Sequence, residues 1–357
     1  MIDPALWRGR RVLVTGHTGF KGAWLSLWLQ ALGADAAGLA LDPETRPNLY
    51  EVARVGQGLA GHVLDIRDAD AVARLVESLR PEIVFHLAAQ SLVRRSYERP
   101  VETWSVNVMG TAHVLEAVRR AGGVKAVVVV TSDKCYENRE WVWPYREEDA
   151  LGGHDPYSSS KAGAELVAAS YRRSFLAADA GTALATARAG NVIGGGDWSV
   201  DRLVPDLVRA FAAGETPVIR NPWAVRPWQH VLEPLAGYLT LAQALLARGA
   251  AEAEAFNFGP AEEGARSVRA IVEHLAHAWG HPGAFTLDGG SHPHEAGQLR
   301  LDSSKARLRL GWRPRLSVED AISWTVEWYR AHLAGADMRE LTLRQIGDYA
   351  ARREAQP

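Results

Sequence analysis

The stretch RVLVTGHTGFKGAWLSLWLQALG, residues 11–33, decides the fold of this chain. It opens with an apolar run that predicts a short buried strand, and it closes with an apolar segment at 23–32 that predicts a helix. A glycine follows that helix directly, as a terminating residue often does. Between the two elements lies a turn with glycines at positions 16, 19 and 22. A strand, a glycine-rich turn and a helix in this order predict the first unit of a parallel α/β sheet.

The alternation of strand and helix continues through the first half of the chain. The run at 125–130 contains four consecutive valines, and such continuous apolar runs are typical of strands buried on both faces of a parallel sheet. The pattern therefore predicts the α/β class, with a doubly wound parallel sheet of the Rossmann type. The further predicted elements are strands at 36–41, near 65, at 82–87 and at 125–130, and helices at 69–79 and 101–121.

Composition sets limits on the function. A chain of 357 residues is long enough for two domains, and a formal charge of −2 gives no net attraction to nucleic acid or to an anionic membrane. The single cysteine, Cys135, excludes an internal disulfide and a cysteine-based metal site. No signal peptide is apparent, and no apolar run approaches the ~18 residues that span a bilayer. We therefore expect a cytoplasmic protein.

The glycine-rich turn predicts a nucleotide site. Glycine permits the tight turn and the close approach of backbone to a pyrophosphate, and the amides of the following helix face that anion. The spacing G-x-x-G-x-x-G differs from the commoner dinucleotide fingerprint, so the turn taken alone could be purely structural. An acidic residue, Asp42, stands 20 positions after Gly22. Strand, turn, helix and acidic residue together indicate a bound dinucleotide.

Asp42 favours NAD over NADP as that dinucleotide. A carboxylate there accepts hydrogen bonds from the adenosine ribose and repels a 2′-phosphate. The alternative is a solvated loop aspartate beside Pro43, and the nearby Arg46 is a signal in the opposite direction. Asp65 and its neighbour fit an adenine contact, although a helix N-cap role at 65 or 68 is an equal alternative. The candidate cofactor-binding residues are Gly16, Thr18, Gly19, Phe20, Lys21, Gly22, Asp42, Asp65, Ile66, Ala88, Ala89, Gln90, Asn107, Thr131, Tyr157 and Lys161.

The regular alternation ends after about residue 186. Loops rich in aromatic and basic residues follow, and helical patterns return only later in the chain. We predict two discontinuous parts. These are an NAD-binding Rossmann domain at 1–185 and about 228–262, and a smaller mixed α/β lobe for the substrate at about 186–227 and 263–357.

Tyr157 and Lys161 predict a catalytic pair. Four residues make about one helical turn, so the phenol and the ammonium share one face of a helix. A fixed positive neighbour favours the phenolate and makes the tyrosine a general base. Ser132, Asp133 and Lys134 follow the apolar run at 125–130 and could act on the same substrate. Ser132 could instead cap the strand end, and Asp133 could be an exposed turn residue.

Several longer motifs resemble the extended short-chain dehydrogenase/reductases and, within them, the CDP-glucose 4,6-dehydratases. The resemblance covers about residues 9–350. The glycine turn and Tyr-x-x-x-Lys are specific only to the superfamily, whereas the Ser-Asp-Lys triplet, GGGDW and RPWQHV are more selective. The motifs are TGHTGFKG at 15–22, FHLAAQ at 85–90, TSDKCY at 131–136, DPY at 155–157, RAGNVIGGGDW at 188–198, RPWQHV at 226–231 and HPHEA at 292–296.

The resemblance implies a reaction. CDP-glucose would lose water to give CDP-4-keto-6-deoxyglucose, with bound NAD used and regenerated in each turnover. It implies that Tyr157 takes the C4 hydroxyl proton, that Lys161 assists it and holds the nicotinamide ribose, and that Ser132 orients the C4 oxygen. Asp133 would act as the general acid on the C6 oxygen, which requires a raised pKa. Lys134 stands where related dehydratases have a glutamate, and it is either the C5 base, which we favour slightly, or a charged stabiliser of the enolate.

Basic side chains in the smaller lobe suit the diphosphate of a nucleotide sugar, since guanidinium groups bind phosphate oxygens bidentately. His230 is equally a candidate core histidine. His292, His294 and Glu295 resemble a metal cluster only superficially, because no third ligand segment accompanies them, so no metal is predicted. The substrate-binding candidates are Asn191, Arg202, Arg220, Arg226, His230 and His294.

Two other functions compete with dehydration. A nucleotide-hexose 4-epimerase, or another nucleotide-sugar dehydratase, would use the same scaffold, but an epimerase has no need of Asp133 and Lys134 for elimination. A non-catalytic regulator that binds nucleotide sugar has no use for a tuned phenol. The superfamily resemblance also implies a homodimer or homotetramer, in which the helices at about 101–121 and 158–175 pair across a two-fold axis; the alternative is that these helices are covered within one chain.

Overall fold

The computed structural model describes residues 2–176, 181–261, 264–290 and 297–352. The strands in these ranges are β1 (Arg11–Thr15), β2 (Asp35–Ala40), β3 (Ala60–Val63), β4 (Ile83–His86), β5 (Ala126–Val130), β6 (Ala183–Ala189), β7 (Val192–Ile193), β8 (Val218–Ile219), β9 (Val225–Pro227), β10 (Gln229–His230), β11 (Ala255–Phe258), β12 (Ala265–Ser267) and β13 (Thr286–Leu287). The helices are α1 (Pro4–Trp7), α2 (Phe20–Ala31), α3 (Leu49–Val52), α4 (Ala69–Leu79), α5 (Val93–Glu98), α6 (Pro100–Trp104), α7 (Gly110–Ala121), α8 (Pro156–Ser174), α9 (Leu203–Ala213), α10 (Leu232–Arg248), α11 (Val268–Trp279), α12 (Ser304–Leu310), α13 (Val318–Leu333) and α14 (Met338–Ala351).

Seven parallel strands form the central sheet in the order β11-β6-β5-β4-β1-β2-β3. From β1 the chain proceeds to β2 and β3 on one side, and then crosses to β4, β5 and β6 on the other. The carboxyl ends of β1 and β4 therefore border the crevice where doubly wound sheets bind their ligands. The predicted fold class is confirmed.

Side chains alternate between two hydrophobic layers, one on each face of the sheet. Val12 and Val14 pack in the layer that contains α2 and α10, whereas Leu13 between them packs in the layer of α4 and α7. All five residues of β5 are buried. Because both faces are covered by helices, strands with uninterrupted apolar sequence are stable here.

The long helix predicted at 101–121 forms with one local irregularity. α6 and α7 are joined by a turn of π-helix, Ser105–Met109, and Asn107 is buried within it. A π-turn adds a residue to the helical turn and changes which side chains face inward. Its consequence for the site is described below.

Three two-stranded sheets lie outside the central sheet in the described residues, β7 with β10, β8 with β13, and β9 with β12. Helices α9, α11 and α13 accompany them. β6 runs through residue 186 to Ala189, and β11, from the second predicted Rossmann segment, pairs with β6 in the central sheet. The exact division into two parts stays a prediction.

No helix within the described ranges has both the length and the apolar character to cross a bilayer.

Candidate active site

A cavity of about 1450 Å³ runs from the glycine-rich turn, past the carboxyl ends of β4 and β5, into the smaller lobe. The predicted catalytic residues all line it. So do the predicted cofactor residues except Asn107, and four of the predicted substrate residues, namely Asn191, Arg202, Arg220 and Arg226. The fold therefore brings the cofactor, catalytic and most substrate candidates to one place.

The glycines of the turn allow close backbone contacts. Gly16 has a φ of 77°, and a Cβ there would lie 2.8 Å from the Ala88 amide nitrogen. A Cβ on Gly22 would lie 2.0 Å from the Gly16 carbonyl oxygen. Gly19 is the N-cap of α2 and provides no side-chain cap, so the first amides of α2 remain available to a ligand at this end of the cavity.

Three acidic residues follow β2 and β3, and each of them has different surroundings. Asp42 is exposed at the rim of the cavity, just after β2. Asp68, not Asp65, caps α4 by accepting a hydrogen bond from the Ala71 amide at 3.0 Å. Asp65 lines the cavity, where hydrogen bonds from Arg67 hold the pKa of its carboxyl below the ordinary value. The structure therefore excludes the helix N-cap role for Asp65, and the adenine contact is the predicted role that remains.

Asn107 supports the cavity wall from behind. Its Oδ1 accepts a hydrogen bond from the Gln90 amide, and its Nδ2 donates to the Gln90 carbonyl and to Ser160 Oγ. The side chain is buried and does not line the cavity. The prediction that Asn107 contacts the cofactor directly is corrected to a supporting role, which results from the π-turn that directs its amide toward Gln90.

Tyr157 and Lys161 lie in the first two turns of α8, whose N-terminus is capped by Asp155. Both side chains are buried, and Ser132, just after the end of β5, lies near enough to the Tyr157 phenol to oppose the rise in its pKa. Ser132 Oγ also donates to Asp133 Oδ1 at 3.1 Å and accepts from the Lys134 amide at 3.2 Å. Ser132 therefore both caps the short turn after β5 and faces the phenol.

The pKa of the Tyr157 phenol is raised, whereas the sequence predicted that Lys161 would lower it. Burial raises the pKa of Tyr157 to about 12, against the opposing hydrogen bond from Ser132, and burial lowers the pKa of Lys161 to about 8. The Lys161 ammonium donates to the Val130 carbonyl oxygen at 3.3 Å. The spacing correctly placed the two groups on one helix face, but the expected lowering of the phenol pKa is wrong for the protein alone. Both charged forms lose hydration in the buried site, and for Tyr157 this loss outweighs the opposing effects of Ser132 and Arg202.

Asp133 is buried rather than exposed in a turn. Burial raises the pKa of its carboxyl, while Lys134, Ser132 and other nearby donors and cations oppose the shift. Its Oδ2 has no hydrogen-bond partner within the described part of the chain. A Cβ on Gly190 would lie 3.1 Å from that oxygen, so the glycine keeps the approach to it open. These surroundings suit a carboxyl that must carry a proton, whereas Lys134 beside it is partly exposed to the cavity.

Lys21 belongs to the catalytic end of the cavity as well as to the glycine turn. Burial, together with the charges of Arg202 and Lys161, lowers its pKa to about 8, and Asp133 opposes this shift. Its ammonium is thus close enough to the catalytic groups to interact with their charges. Sequence reasoning placed Lys21 only at the cofactor. A cation inside an otherwise small and apolar turn was the available signal.

Arginines from both parts of the chain meet at the substrate end. Arg202 donates to Asp197 Oδ2 at 2.9 Å and to Ser91 Oγ at 2.8 Å. Arg220 pairs with Asp201 at 3.2 Å, and Arg94, which sequence reasoning missed, pairs with the same carboxylate oxygen at 3.3 Å.

Arg226 and Asn191 lie deeper in the same end of the cavity. Arg226 is buried and donates to the Val225 and Gly297 carbonyls. Asn191 uses its backbone carbonyl to accept from the Gln229 amide, at the junction of β7 and β10. Both residues keep their predicted position at the cavity wall.

His230 does not reach the cavity. It is fully buried, and its ring packs edge-on against Trp24 and Trp324 with centroid distances of 5.9 and 5.7 Å. Burial lowers its pKa to about 3. The prediction of a substrate contact is wrong, and the alternative of a core histidine holds. His292, His294 and Glu295 lie outside the described residues, and within the described ranges no three His, Cys, Asp or Glu side chains are grouped as metal ligands.

Known proteins share this sequence and architecture. The chain matches the profile of the GDP-mannose 4,6 dehydratase family over residues 13–325. It is 52% identical over 353 residues to the CDP-glucose 4,6-dehydratase of Salmonella typhimurium (strain LT2), and the alignment covers 98% of each chain. The chain belongs to the GDP-mannose 4,6-dehydratase family. It is also 30% identical to the UDP-glucose 4-epimerase of Mycolicibacterium smegmatis, over 90% of this chain and 98% of that relative.

Solved structures agree with membership of the GDP-mannose 4,6-dehydratase family. The dTDP-glucose 4,6-dehydratase DesIV from Streptomyces venezuelae, determined with NAD and TYD bound, superimposes with a TM-score of 0.79 at 28% identity, covering 92% of this chain and 99% of DesIV. The UDP-glucose 4-epimerase of Thermotoga maritima, determined with UDP-glucose, gives a TM-score of 0.78 at 25% identity, covering 90% and 99%. The predicted relationship to the extended short-chain dehydrogenase/reductases and the CDP-glucose 4,6-dehydratases is confirmed.

Proposed function

We propose that this enzyme converts CDP-glucose to CDP-4-keto-6-deoxyglucose and water, with NAD as its resident cofactor. The observation that carries the proposal is the position of buried Asp133 in the same cavity as Ser132 and Tyr157. An epimerase needs only the serine, the tyrosine and the neighbouring lysine, whereas an elimination also needs an acid for the leaving hydroxyl. The 52% identity to a CDP-glucose 4,6-dehydratase supports the same choice and the cytidine nucleotide.

The turn between β1 and α2 fits NAD. The first amides of α2 have no side-chain cap, and a pyrophosphate suits such a helix N-terminus. Asp42 at the rim suits the adenosine ribose without a 2′-phosphate. When bound, NAD would accept the hydride from C4 and return it to C6 after the elimination, and its positive ring charge would favour the phenolate.

Oxidation at C4 makes the dehydration possible. The C5 proton of a sugar is barely acidic, but next to a C4 ketone its removal gives a stabilised enolate. Tyr157 takes the C4 hydroxyl proton, and Ser132, which lines the same cavity, orients the C4 oxygen. The charge of Lys161, one turn further along α8, stabilises the phenolate.

The elimination step follows the oxidation and uses Asp133, the residue after Ser132. Asp133 donates its proton to the departing C6 oxygen, and the burial that raises its pKa keeps that proton in place until it is needed. Lys134 lines the cavity next to it and acts at C5, either by removing the proton or by stabilising the enolate. Arg202, Arg220 and Arg226, with Asn191 and the newly recognised Arg94, surround the part of the cavity that suits the diphosphate.

We also propose that the enzyme is a homodimer formed through α6, α7 and α8. Val101 is 80% exposed on α6 and Leu166 is 62% exposed on α8; the other exposed apolar residues here are Trp104 on α6, Met109 in the π-turn and Phe175 just after α8. An apolar surface of this kind is typical of an interface, and a second copy would bury it symmetrically. Sedimentation should give a dimer for the wild type and a monomer for Leu166→Arg, whereas a monomeric wild type would refute the interface.

Products distinguish the proposed function from its alternatives. Purified enzyme is incubated separately with CDP-, UDP-, GDP- and dTDP-glucose, and the products are identified by mass and by their absorbance in alkali. We expect a product of CDP-glucose that is lighter by one water and absorbs in alkali as a 4-keto sugar. An isomer of unchanged mass would identify an epimerase, and binding without conversion of any sugar would identify a regulator.

A further inference from the structure

Glu165 lies directly beneath the catalytic residues. It follows Lys161 by one turn of α8 and Tyr157 by two turns, and it is almost completely buried. Its carboxylate accepts hydrogen bonds from Thr131 Oγ1 and, at 2.7 Å, from Thr186 Oγ1. Thr131 directly follows the end of β5 and Thr186 lies in the middle of the neighbouring β6, so one side chain of α8 bonds to both strand segments.

A guanidinium completes the set of donors to this carboxylate. Arg188, on β6, donates from Nε at 3.0 Å and from Nη2 at 2.8 Å, one bond to each oxygen. The two side chains are only 4% and 3% exposed. The remaining nitrogen, Nη1, donates to the Tyr136 hydroxyl at 2.8 Å and to the Glu147 carbonyl at 3.0 Å. The network thus reaches the segment that follows the catalytic turn.

The hydrogen-bond network around Glu165 connects the two segments of the chain that carry the proposed catalytic residues. Thr131, which donates to Glu165, directly precedes Ser132 and Asp133, whereas Tyr157 and Lys161 stand on the same helix as Glu165. Apolar side chains would hold a helix against a sheet equally well, because a buried ion pair adds little net stability. A fully hydrogen-bonded polar network instead fixes one arrangement of the elements that it joins.

We propose that Glu165 is a positioning residue that sets the end of β5, with Ser132 and Asp133, against the helix that carries Tyr157 and Lys161. This inference rests on the proposed function and adds a residue that does not touch substrate or cofactor. Turnover then depends specifically on the hydrogen bond between Glu165 and Thr131, whereas folding depends on this bond no more than on the bond between Glu165 and Thr186. The bond to Thr186, which leads to no catalytic side chain, has no such effect.

Two variants test this as a matched pair. Thr131→Val and Thr186→Val each remove one buried hydroxyl donor to the same carboxylate with almost no change of volume. We expect similar losses of thermal stability, but a fall in kcat of about 10- to 100-fold for Thr131→Val alone, since a small misplacement of catalytic groups has an effect of that size. KM for CDP-glucose should stay within about 2-fold of the wild type, because Thr131 Oγ1 is bonded to Glu165. NAD affinity is measured separately, because Thr131 also lines the cavity. Thr131→Ser, which keeps the hydroxyl, should restore kcat.

The outcomes separate a positioning role from a structural one. Equal kcat values for the two valine variants would overturn the proposal, and so would a Thr131→Val defect confined to NAD affinity. Glu165→Gln, measured where it remains folded by circular dichroism, should lower kcat at least as much as Thr131→Val, and wild-type kcat in Glu165→Gln would also overturn it. If the wild-type enzyme converts a different nucleotide hexose, the proposed substrate is wrong, and the same pair measured with that hexose still decides the role of Glu165.

Discussion

Gly16→Ala tests how closely the nucleotide turn approaches the loop after β4. The added Cβ would lie 2.8 Å from the Ala88 nitrogen, 2.9 Å from its Cα and 3.0 Å from the Leu87 carbonyl carbon. All three are backbone atoms, so the loop itself must move. The φ of 77° adds ~1–2 kcal/mol for a left-handed alanine. Overpacking typically adds a further ~1–3 kcal/mol, and we expect a total loss in free energy of unfolding of ~2–5 kcal/mol.

Gly214→Ala is the matched control for backbone conformation. Gly214 has a φ of 70°, and a Cβ there would meet nothing within 4 Å. This variant should therefore lose only the ~1–2 kcal/mol of the left-handed conformation. Urea unfolding measures both losses, and titration with NAD measures binding. We expect weakened NAD binding for Gly16→Ala alone, because the displaced loop lines the cofactor groove.

Equal stability losses for the two variants would refute the close approach of the turn to Ala88. Unchanged NAD affinity in Gly16→Ala, despite a larger stability loss, would show that the turn does not shape the cofactor site. Either result can be obtained without knowledge of the sugar substrate.

Three further predictions concern the catalytic residues. Tyr157→Phe should retain NAD binding in a titration and lose about 10²- to 10⁴-fold in kcat, the usual contribution of a general base; comparable turnover would refute that role. Asp133→Asn should lose turnover by a similar factor in the same steady-state assay. Because the folded pKa of Asp133 is raised, its carboxyl destabilises the protein as pH rises above its unfolded value, ~3.9. In thermal melts Asp133→Asn should therefore be more stable than the wild type at neutral pH, and this difference should vanish in acid. If the variant were more stable than the wild type only in acid, the raised pKa of Asp133 would be contradicted.

Local patterns predicted most of the elements that position the site. The helix at Ala69–Leu79 has the predicted bounds, and the apolar run that begins the stretch at 11–33 forms the expected short strand, Arg11–Thr15. The four-residue spacing correctly placed Tyr157 and Lys161 on one helix face. Each of these features depends on residues within a few turns of one another, which sequence periodicity reports directly.

Long-range packing accounts for the differences. His230 is enclosed by Trp24 and Trp324, which are far from it in sequence, so its motif could not decide between a substrate contact and a core position. Asn107 is buried in a π-turn that the local sequence pattern did not predict. The raised pKa of Tyr157 comes from burial, which depends on the whole fold.

Glu165 was overlooked for a related reason. A carboxylate in mid-helix, one turn beyond Lys161, has the sequence appearance of a solvated residue. Only the fold brings Thr131, Thr186 and Arg188 around it. A charged residue that continues the face of a catalytic helix is the signal that sequence reasoning could have used.

The fate of the C5 hydrogen tests the central claim, elimination after oxidation at C4, most directly. The enzyme is incubated with CDP-glucose in deuterated water, and the product is examined by NMR and mass spectrometry. We predict a 4-keto-6-deoxy product that has lost water and carries solvent deuterium at C5, with uptake abolished in Lys134→Ala if that residue is the base. A product that retains the original C5 hydrogen and all of its oxygen would contradict the account.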